Sequence, residues 1–469
     1  MFGCVLRATL VVATAFALAS CKLPDPKAPP AKAAANCDKP STKGATTVPP
    51  WPAGKVTGGV FFSPKSSGPL NLTAGSPGFD LTQDLVIWAE DDLVIEDFIT
   101  LPSYKSRQGT NVTLVSGGKI TVHSLVGGGH VERAAPAAPP AGTDAYGDAG
   151  GNGGSARLIA GSILIKTGGS VQGQGGGSGA DATADARVVS IPQFTGKKFG
   201  GASDAVGGSG GHGGDAVLCA DYVKVEWSGG NALEGGWAGF GGNADANSAN
   251  DNNARARGGD GGNGGDVVFG GGAQLDIGGR TVGGYGGGTV GMRAKVEDGN
   301  GDALAIGGNG GAGGTVRFMT GVSARQPAPV ADVISADVPA AVNGGGPATA
   351  IAARPDPDSG KSGGNASASG GNGGKHGDTP QIPVMTPSGV QIVPGTTGKS
   401  GSGGSATATP GNGARSTSGT GAASGAGTAK GGANGDGAAA AGGTPSTPAA
   451  PSVGGAGGVA TQAMQHGAP

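Results

Sequence analysis

Four stretches of this chain align without gaps: Gly153-Gly-Ser-Ala-Arg-Leu158, Gly213-Gly-Asp-Ala-Val-Leu218, Gly264-Gly-Asp-Val-Val-Phe269 and Gly313-Gly-Thr-Val-Arg-Phe318. Their second glycines, Gly154, Gly214, Gly265 and Gly314, lie 60, 51 and 49 residues apart. A unit of that length, with glycine pairs leading into a short apolar run, cannot bury its own apolar row and must stack on its neighbours. A fainter fifth copy begins at Gly373-Gly374 and reaches Gly389-Val-Gln-Ile-Val393. The repeat also decides how the composition is read. An aperiodic chain with 104 glycines and 31 prolines in 469 residues would be taken for disordered. Here glycine returns at fixed places, which argues for order. Aromatic residues make up only 4% of the chain, so the fold must be built from thin layers rather than a thick core.

Each copy continues in the same way. A second short run follows the first (Ser162-Ile-Leu-Ile-Lys166, Tyr222-Val-Lys-Val-Glu226, Ala273-Gln-Leu-Asp-Ile277), then a third that ends on polar residues or glycine (Ser170 to Gln174, Asn231 to Glu234, Thr281 to Gly284). Three short strands repeating in one order predict an all-β chain folded as a parallel β-helix, with Leu158, Leu218, Phe269 and Phe318 stacked as one inward row. Upstream, Asp84–Ala89, Asp92–Glu96, Asn111–Val115 and Lys119–His123 read as β-type runs of the same kind, and no helical period occurs beyond the first residues. Between copies lie insertions in which Ala-x-Ala alternation flanks a polar centre, as in the stretches from Gly241 and from Gly286. They predict an arm out, a turn and an arm back, with only Gly and Ala fitting between neighbouring arms. Gly-Gly-x runs can adopt threefold extended conformations that bond laterally. The tips, such as Asn247 to Arg255, are expected to face solvent and offer contacts.

The N-terminus reads MFGCVLRATLVVATAFALASC: one cation, an apolar run from Ala8 to Ala19, then small residues. That is a secretory signal peptide. Residues 22–54 are rich in Pro, Ala and Lys, a composition that favours an extended, semi-rigid spacer. The division expected is a signal peptide at 1–20, a tether at 21–54, N-terminal coils at 55–145, a glycine-rich repeat domain at 146–437 and a disordered Ala/Gly/Ser/Thr/Pro tail at 438–469. The tail holds too few apolar residues to offset the entropy of ordering it.

Leu18-Ala19-Ser20-Cys21 resembles the lipobox of bacterial lipoproteins. The resemblance implies cleavage before Cys21, diacylglycerol on its sulfur and an acylated amine. Several acyl chains hold a protein stably at a membrane where one does not. Lys22 after the Cys implies the outer membrane or cell surface, with the periplasmic face as the alternative. The glycine units resemble the PGRS-type domains of bacterial surface proteins and the glycine-rich lipoproteins of myxobacteria. The three-strand coil is similar to adhesins built on a pectate-lyase-like β-helix. The mycobacterial PE-type helical head is absent. These resemblances imply a surface protein that works by structure or adhesion, partnered with a membrane through its lipid and with polysaccharide, other cells or copies of itself.

Net charge is −2 and charged residues make up 14% of the chain, so no basic stripe marks a nucleic-acid partner. After loss of the signal peptide, Cys37 and Cys219 remain as a candidate disulfide in an oxidising compartment, and the sequence leaves their pairing open. No CxxC or His/Cys zinc spacing occurs, and calcium is the one cofactor to weigh. Gly210–Leu218 and Gly261–Phe269 match a calcium-binding nonapeptide, with Asp215 and Asp266 at the ligand position, but the matches are not in tandem. Asp298, Asn300 and Asp302 open like an EF-hand loop, yet Ala303 stands where its glycine belongs and Asn309 where its glutamate belongs. No catalytic residue is assigned: the acidic run Asp84, Glu90, Asp91, Asp92, Glu96 and Asp97 reads as a solvated face or turns, and His123, His130 and His212 are isolated. Trp227, Trp237 and Phe240 are the candidates for an aromatic platform that binds carbohydrate. A polysaccharide-active lyase or glycosidase and a calcium-dependent surface module are the alternatives to adhesion.

Overall fold

The computed structural model describes residues 23–29, 36–73, 79–97, 99–101, 109–129, 131, 134, 144–186, 202–226, 231–249, 252–289, 291–297, 301–324, 334–335, 344–352, 362–398, 400–411 and 424–434. The segment read as a signal peptide, Cys21 and residues 435–469 lie outside them, as do Trp227, Asp298, Asn300 and His130.

The described chain is all-β, with a single short 3-10 turn at Lys65–Ser67. Five sheets form, and every strand pair in them is parallel except one. Sheet I runs from Thr46–Thr47 through Leu85–Ala89, Ala156–Ile159, Ala216–Cys219 and Val267–Gly270 to Val316–Phe318. Sheet II includes Lys119–Val122, Ser162–Ile165, Tyr222–Val225 and Gln274–Ile277, and sheet III includes Leu125–Gly129, Ser170–Gln172, Asn231–Glu234 and Arg280–Val282. The chain visits I, II and III in turn, then lays its next strands beside the last ones. Registers hold across passes: Leu114, Leu158, Leu218, Phe269 and Phe318 are successive partners. The row predicted from sequence therefore stacks inward, and Phe269 and Phe318 lie 5.5 Å apart with nearly parallel rings. Phe318 is only partly buried, because no further strand of sheet I covers it.

After Gly129 each pass adds a lateral excursion. An outbound glycine run leaves sheet III for sheet IV (Ala182–Asp185, Ala244–Ser248, Met292–Val296, Ala348–Ile351, Ala406–Thr409). The chain then returns along sheet V (Ser203–Val206, Ala254–Arg257, Ala303–Ile306, Ala366–Ser369, Gly427–Lys430) and an inbound glycine run to sheet I. Sheets IV and V face each other across a layer made almost wholly of alanine: Ala182, Ala184, Ala244, Ala246, Ala254 and Ala256 all point into it. This explains the Ala-x-Ala alternation, since strands alternate faces and the inward positions of these two closely spaced sheets are filled by methyl groups, Met292 and Val296 being the larger exceptions.

The glycine runs form a two-layer slab whose hydrogen bonding repeats every three residues. Gly207, Gly210 and Gly213 donate to Arg257, Asp260 and Asn263 of the next inbound run. Gly208, Gly211 and Gly214 donate instead to Ala180, Gly177 and Gln174 of the antiparallel outbound run. Two of every three N–H groups are thus spent inside the slab. An added Cβ at Gly265 would lie 1.8 Å from the Gly214 carbonyl oxygen beside it and 2.6 Å from the Gly236 nitrogen of the opposing layer, so no side chain fits there. The third residue of each triplet points outward, and where the preceding pass carries an acceptor there, its N–H is met by that side chain: Asp215 by Ser155 Oγ (2.9 Å), Asp266 by Asp215 Oδ1 (2.7 Å), Thr315 by Asp266 Oδ1 (2.9 Å). A second ladder runs Asn152, His212, Asn263, Ala312. Along these two ladders all three donors of a triplet are satisfied within the protein.

Three sequence expectations change. The fifth copy adds no strand to sheet I: Gln381–Thr386 joins sheet II and pairs antiparallel with Gly389–Pro394. Pro380 falls where sheet I would continue, and a residue without an N–H cannot extend the ladder. Asn247 and Arg255 are strand residues rather than solvent-facing tips: Asn247 is buried, and Arg255 makes a two-pronged pair with Asp204 at 2.8 and 2.6 Å. Finally, the described part of the proline-rich segment lies along the body instead of standing clear of it. Leu23 is buried, Asp25 pairs with Arg257, Lys27 reaches Asp148 at 3.0 Å, and Cys37 is disulfide-bonded to Cys219.

Candidate functional site

The slab has two outer faces, because outbound and inbound runs bond to each other on one side and turn their third residues out on the other. The outbound face carries aromatic rings. In the run from Gly235, the third residues are Trp237, Phe240 and Asn243, spaced by three and so aligned on one face about 9 Å apart. Register with the flanking passes follows from the strands on either side. Glu234 is the partner of Gln172 and Val282, and Ala244 of Ala182 and Met292. Trp237 therefore sits between Gly175 and Tyr285, Phe240 between Ser178 and Gly288, and Asn243 between Asp181 and Gly291.

Glycine and serine neighbours leave the rings standing above the surface: Trp237 is 56% exposed and Phe240 44%. Trp237 is nevertheless fixed. Its Nε1 donates to Glu234 Oε1 at 2.7 Å, Glu234 is held in turn by Asn231 Nδ2 at 3.1 Å, and the indole meets Tyr285 at 5.1 Å between centroids, tilted by 59°. An exposed indole held from below, with the half-buried Tyr285 ring beside it, can stack against an apolar ring face of a ligand at little entropic cost. The structure thus places two of the three sequence candidates, Trp237 and Phe240, on one face and adds Tyr285. Gly283-Gly-Tyr285 matches Gly235-Gly-Trp237, a sequence signal for it.

Past the aromatic residues the same face opens into a notch of about 450 Å³, lined by Asp181, Asn243, Asp245, Gly291, Arg293 and Pro347 among others. Its floor exists because Gly291 interrupts the side-chain ladder that Asp181 begins by accepting the Asn243 N–H at 2.8 Å.

The inbound face carries a different cleft, of about 340 Å³, at the junction with sheet I. His212, Asp266, Arg317, Lys375, His376 and Asp378 line it, and Arg317 Nε pairs with Asp266 Oδ2 at 3.0 Å. Read one at a time along the chain these residues look isolated; stacked passes bring them together.

The proposed calcium residues are otherwise engaged. Asp215 and Asp266 each offer an oxygen to the backbone of the next pass, and Asp302 Oδ1 accepts from Asn365 N at 2.8 Å. Among the described residues no three His, Cys, Asp or Glu side chains converge as a metal site. The acidic run near residue 90 is dispersed over turns. Asp84 accepts from Asn111 N (2.8 Å), Asp92 from Lys119 N (2.7 Å) and Glu90 from Lys65 N (2.9 Å). Glu96 lies 3.8 Å from His123 Nε2.

No protein-family model, curated protein or solved structure matches this chain. Function must be argued from the faces themselves. On the outbound face the charged residues gather in the notch, and the rest is distinguished by an aromatic group over a glycine floor. Among the described residues no helix is long and apolar enough to cross a membrane.

Proposed function

We propose that this chain is a lipid-anchored cell-surface protein with a structural or adhesive role, contacting matrix polysaccharide or neighbouring cells. Its three-sheet part is read as a parallel β-helix that supports the lateral slab, and Cys21 as the lipidated residue. The observation that carries the adhesive reading is the Trp237, Tyr285 and Phe240 group on the outbound face. Aromatic rings held rigidly and exposed are suited to stacking on sugar rings. The repeated passes favour many weak contacts per molecule, which add by multivalency. The N-terminal segment supports close attachment: with Asp25 paired to Arg257, a lipid four residues upstream would hold the flank of the slab near the membrane.

Intact cells expressing the full chain test this reading. Protease added outside should remove the body without lysis, and the double substitution Trp237→Ala with Tyr285→Ala should weaken attachment to extracted matrix polysaccharide about tenfold, a loss of ~1.4 kcal/mol. A body protected until the outer membrane is broken would overturn the surface assignment.

A second reading, a polysaccharide-active enzyme, is favoured by one observation: the inbound cleft gathers two carboxylates with Arg317, Lys375 and two histidines. Release of reducing or unsaturated ends from polysaccharide, lost with Asp378→Asn, would select it.

A further inference from the structure

The outbound face holds more than a platform, and this inference rests on the carbohydrate-binding reading above. Tyr285, Gly288 and Gly291 are the outward residues of one run, and the last two have no side chain to raise. Trp237, Phe240 and Asn243 of the preceding pass stand along one side of that run. At its far end the floor drops into the notch, where Arg293 and Asp245 face each other across the strands of sheet IV, with Pro347 on the next pass as the opposite wall. The aromatic rings and the charged and amide groups of the notch thus lie along one run, about 19 Å from Tyr285 to Gly291.

We propose that these groups line one trough that binds a segment of a linear neutral polysaccharide lying parallel to the glycine run. The sugar at one end stacks on Trp237 and Tyr285. The next passes beside the Phe240 ring, and hydroxyls at the other end exchange hydrogen bonds with Asp181, Asn243, Asp245 and Arg293. The chemistry fits hydroxyl-rich rings: their C–H faces suit the aromatic residues, while paired donors and acceptors suit hydroxyls better than a formal charge, since the notch holds carboxylates and a guanidinium together. A branch directed downward would meet the glycine floor, so the bound stretch carries no substituent on that side. Gly291 is the specificity-determining position. A Cβ there meets only Pro347 Cγ, at 3.7 Å, so larger residues fold as the glycine does while filling the notch.

The test is calorimetric titration of the full soluble chain, lacking only the signal peptide and Cys21, with linear β-linked glucan oligosaccharides from disaccharide to hexasaccharide. Affinity should rise with length until the trough is filled. Gly291→Leu should remove the gain from added units, at least tenfold for the hexasaccharide, and leave the disaccharide unchanged. Trp237→Ala should weaken every length. Unfolding curves of both variants should match the parent. Binding that is lost in Trp237→Ala but indifferent to chain length and to Gly291→Leu would overturn the trough and leave the platform standing. Binding of polygalacturonate alone would overturn the neutral-chain trough, and absence of binding to any oligosaccharide, neutral or acidic, would overturn both.

Discussion

The three-sheet part and the lateral slab are made by the same chain, pass by pass, and solve the same problem in opposite ways. In the three-sheet part, side chains are the structure: Leu158, Leu218 and Phe269 fill the interior, and removing atoms opens a cavity. In the slab, backbone is the structure. Gly154, Gly214 and Gly265 succeed one another with carbonyl oxygens where a Cβ would be, so adding atoms is what breaks it. Sheets IV and V, faced with alanine, lie between these extremes. The comparison teaches that order does not require a hydrophobic core in every layer. Lateral hydrogen bonds can supply it when every donor of a three-residue repeat has an acceptor.

The opposite tolerances give the largest expected effects. Gly265→Ala puts a methyl carbon on the Gly214 carbonyl, and the element that must yield is backbone in both layers. A loss above ~3 kcal/mol, beyond ordinary overpacking, is expected by denaturant unfolding. In the three-sheet part the sign of the change is reversed: Leu218→Ala removes atoms from a fully buried position and should cost about 2–5 kcal/mol, while Leu218→Met should cost under ~1.5 kcal/mol. If Gly265→Ala proved neutral, the two regions would not differ in the way described.

Smaller effects sharpen the account of the outward residues. Asn263→Ala removes the acceptor, at 2.9 Å, for the Ala312 N–H. That N–H faces water, so the expected loss is about 1 kcal/mol, and Asn263→Asp should restore it. The smallest effect belongs to acid. The Glu226 carboxyl is held below its usual range, first by the hydrogen bond from Lys166 Nζ at 3.0 Å. A lowered folded-state pKa means that the stabilisation is present above the unfolded-state value and is lost as pH falls through the folded one. The unfolding midpoint should therefore fall slightly on acidification in the parent, and less in Lys166→Met.

Several of these features could be read in the sequence because a stacked repeat turns linear spacing into spatial neighbourhood. The row from Leu158 to Phe318 and the out-and-back arms follow from the gapless alignment. Trp237 and Phe240 stand out as large residues among glycines, where nothing is available to cover them. What escaped reading depends on which strand lies beside which. The Asp215 and Asp266 carboxylates resemble calcium ligands along the chain, but their acceptor role appears only when the next pass presents its N–H. Likewise His212, Arg317 and Lys375 come from three passes, so no local window contains the cleft. Of the strap made by Asp25, Lys27 and Cys37, only the Cys37–Cys219 candidate could be read, because proline-rich composition signals extension without saying what the extended chain lies against. Pro380 was a legible warning that sheet I stops, outweighed by the apolar look of residues 389–393.

The central claim, that the glycine runs are an ordered hydrogen-bonded slab rather than loops, is tested most directly by hydrogen–deuterium exchange. The amides of Gly210–Gly214 and Gly261–Gly265 should be compared with those of Ala216–Cys219 in sheet I. The account predicts slow exchange at the first and second glycines of each triplet, of the same order as in the sheet strand, and faster exchange only where the outward N–H is met by water. Exchange of those glycine amides at the rate of an unstructured chain, with sheet I still protected, would contradict it.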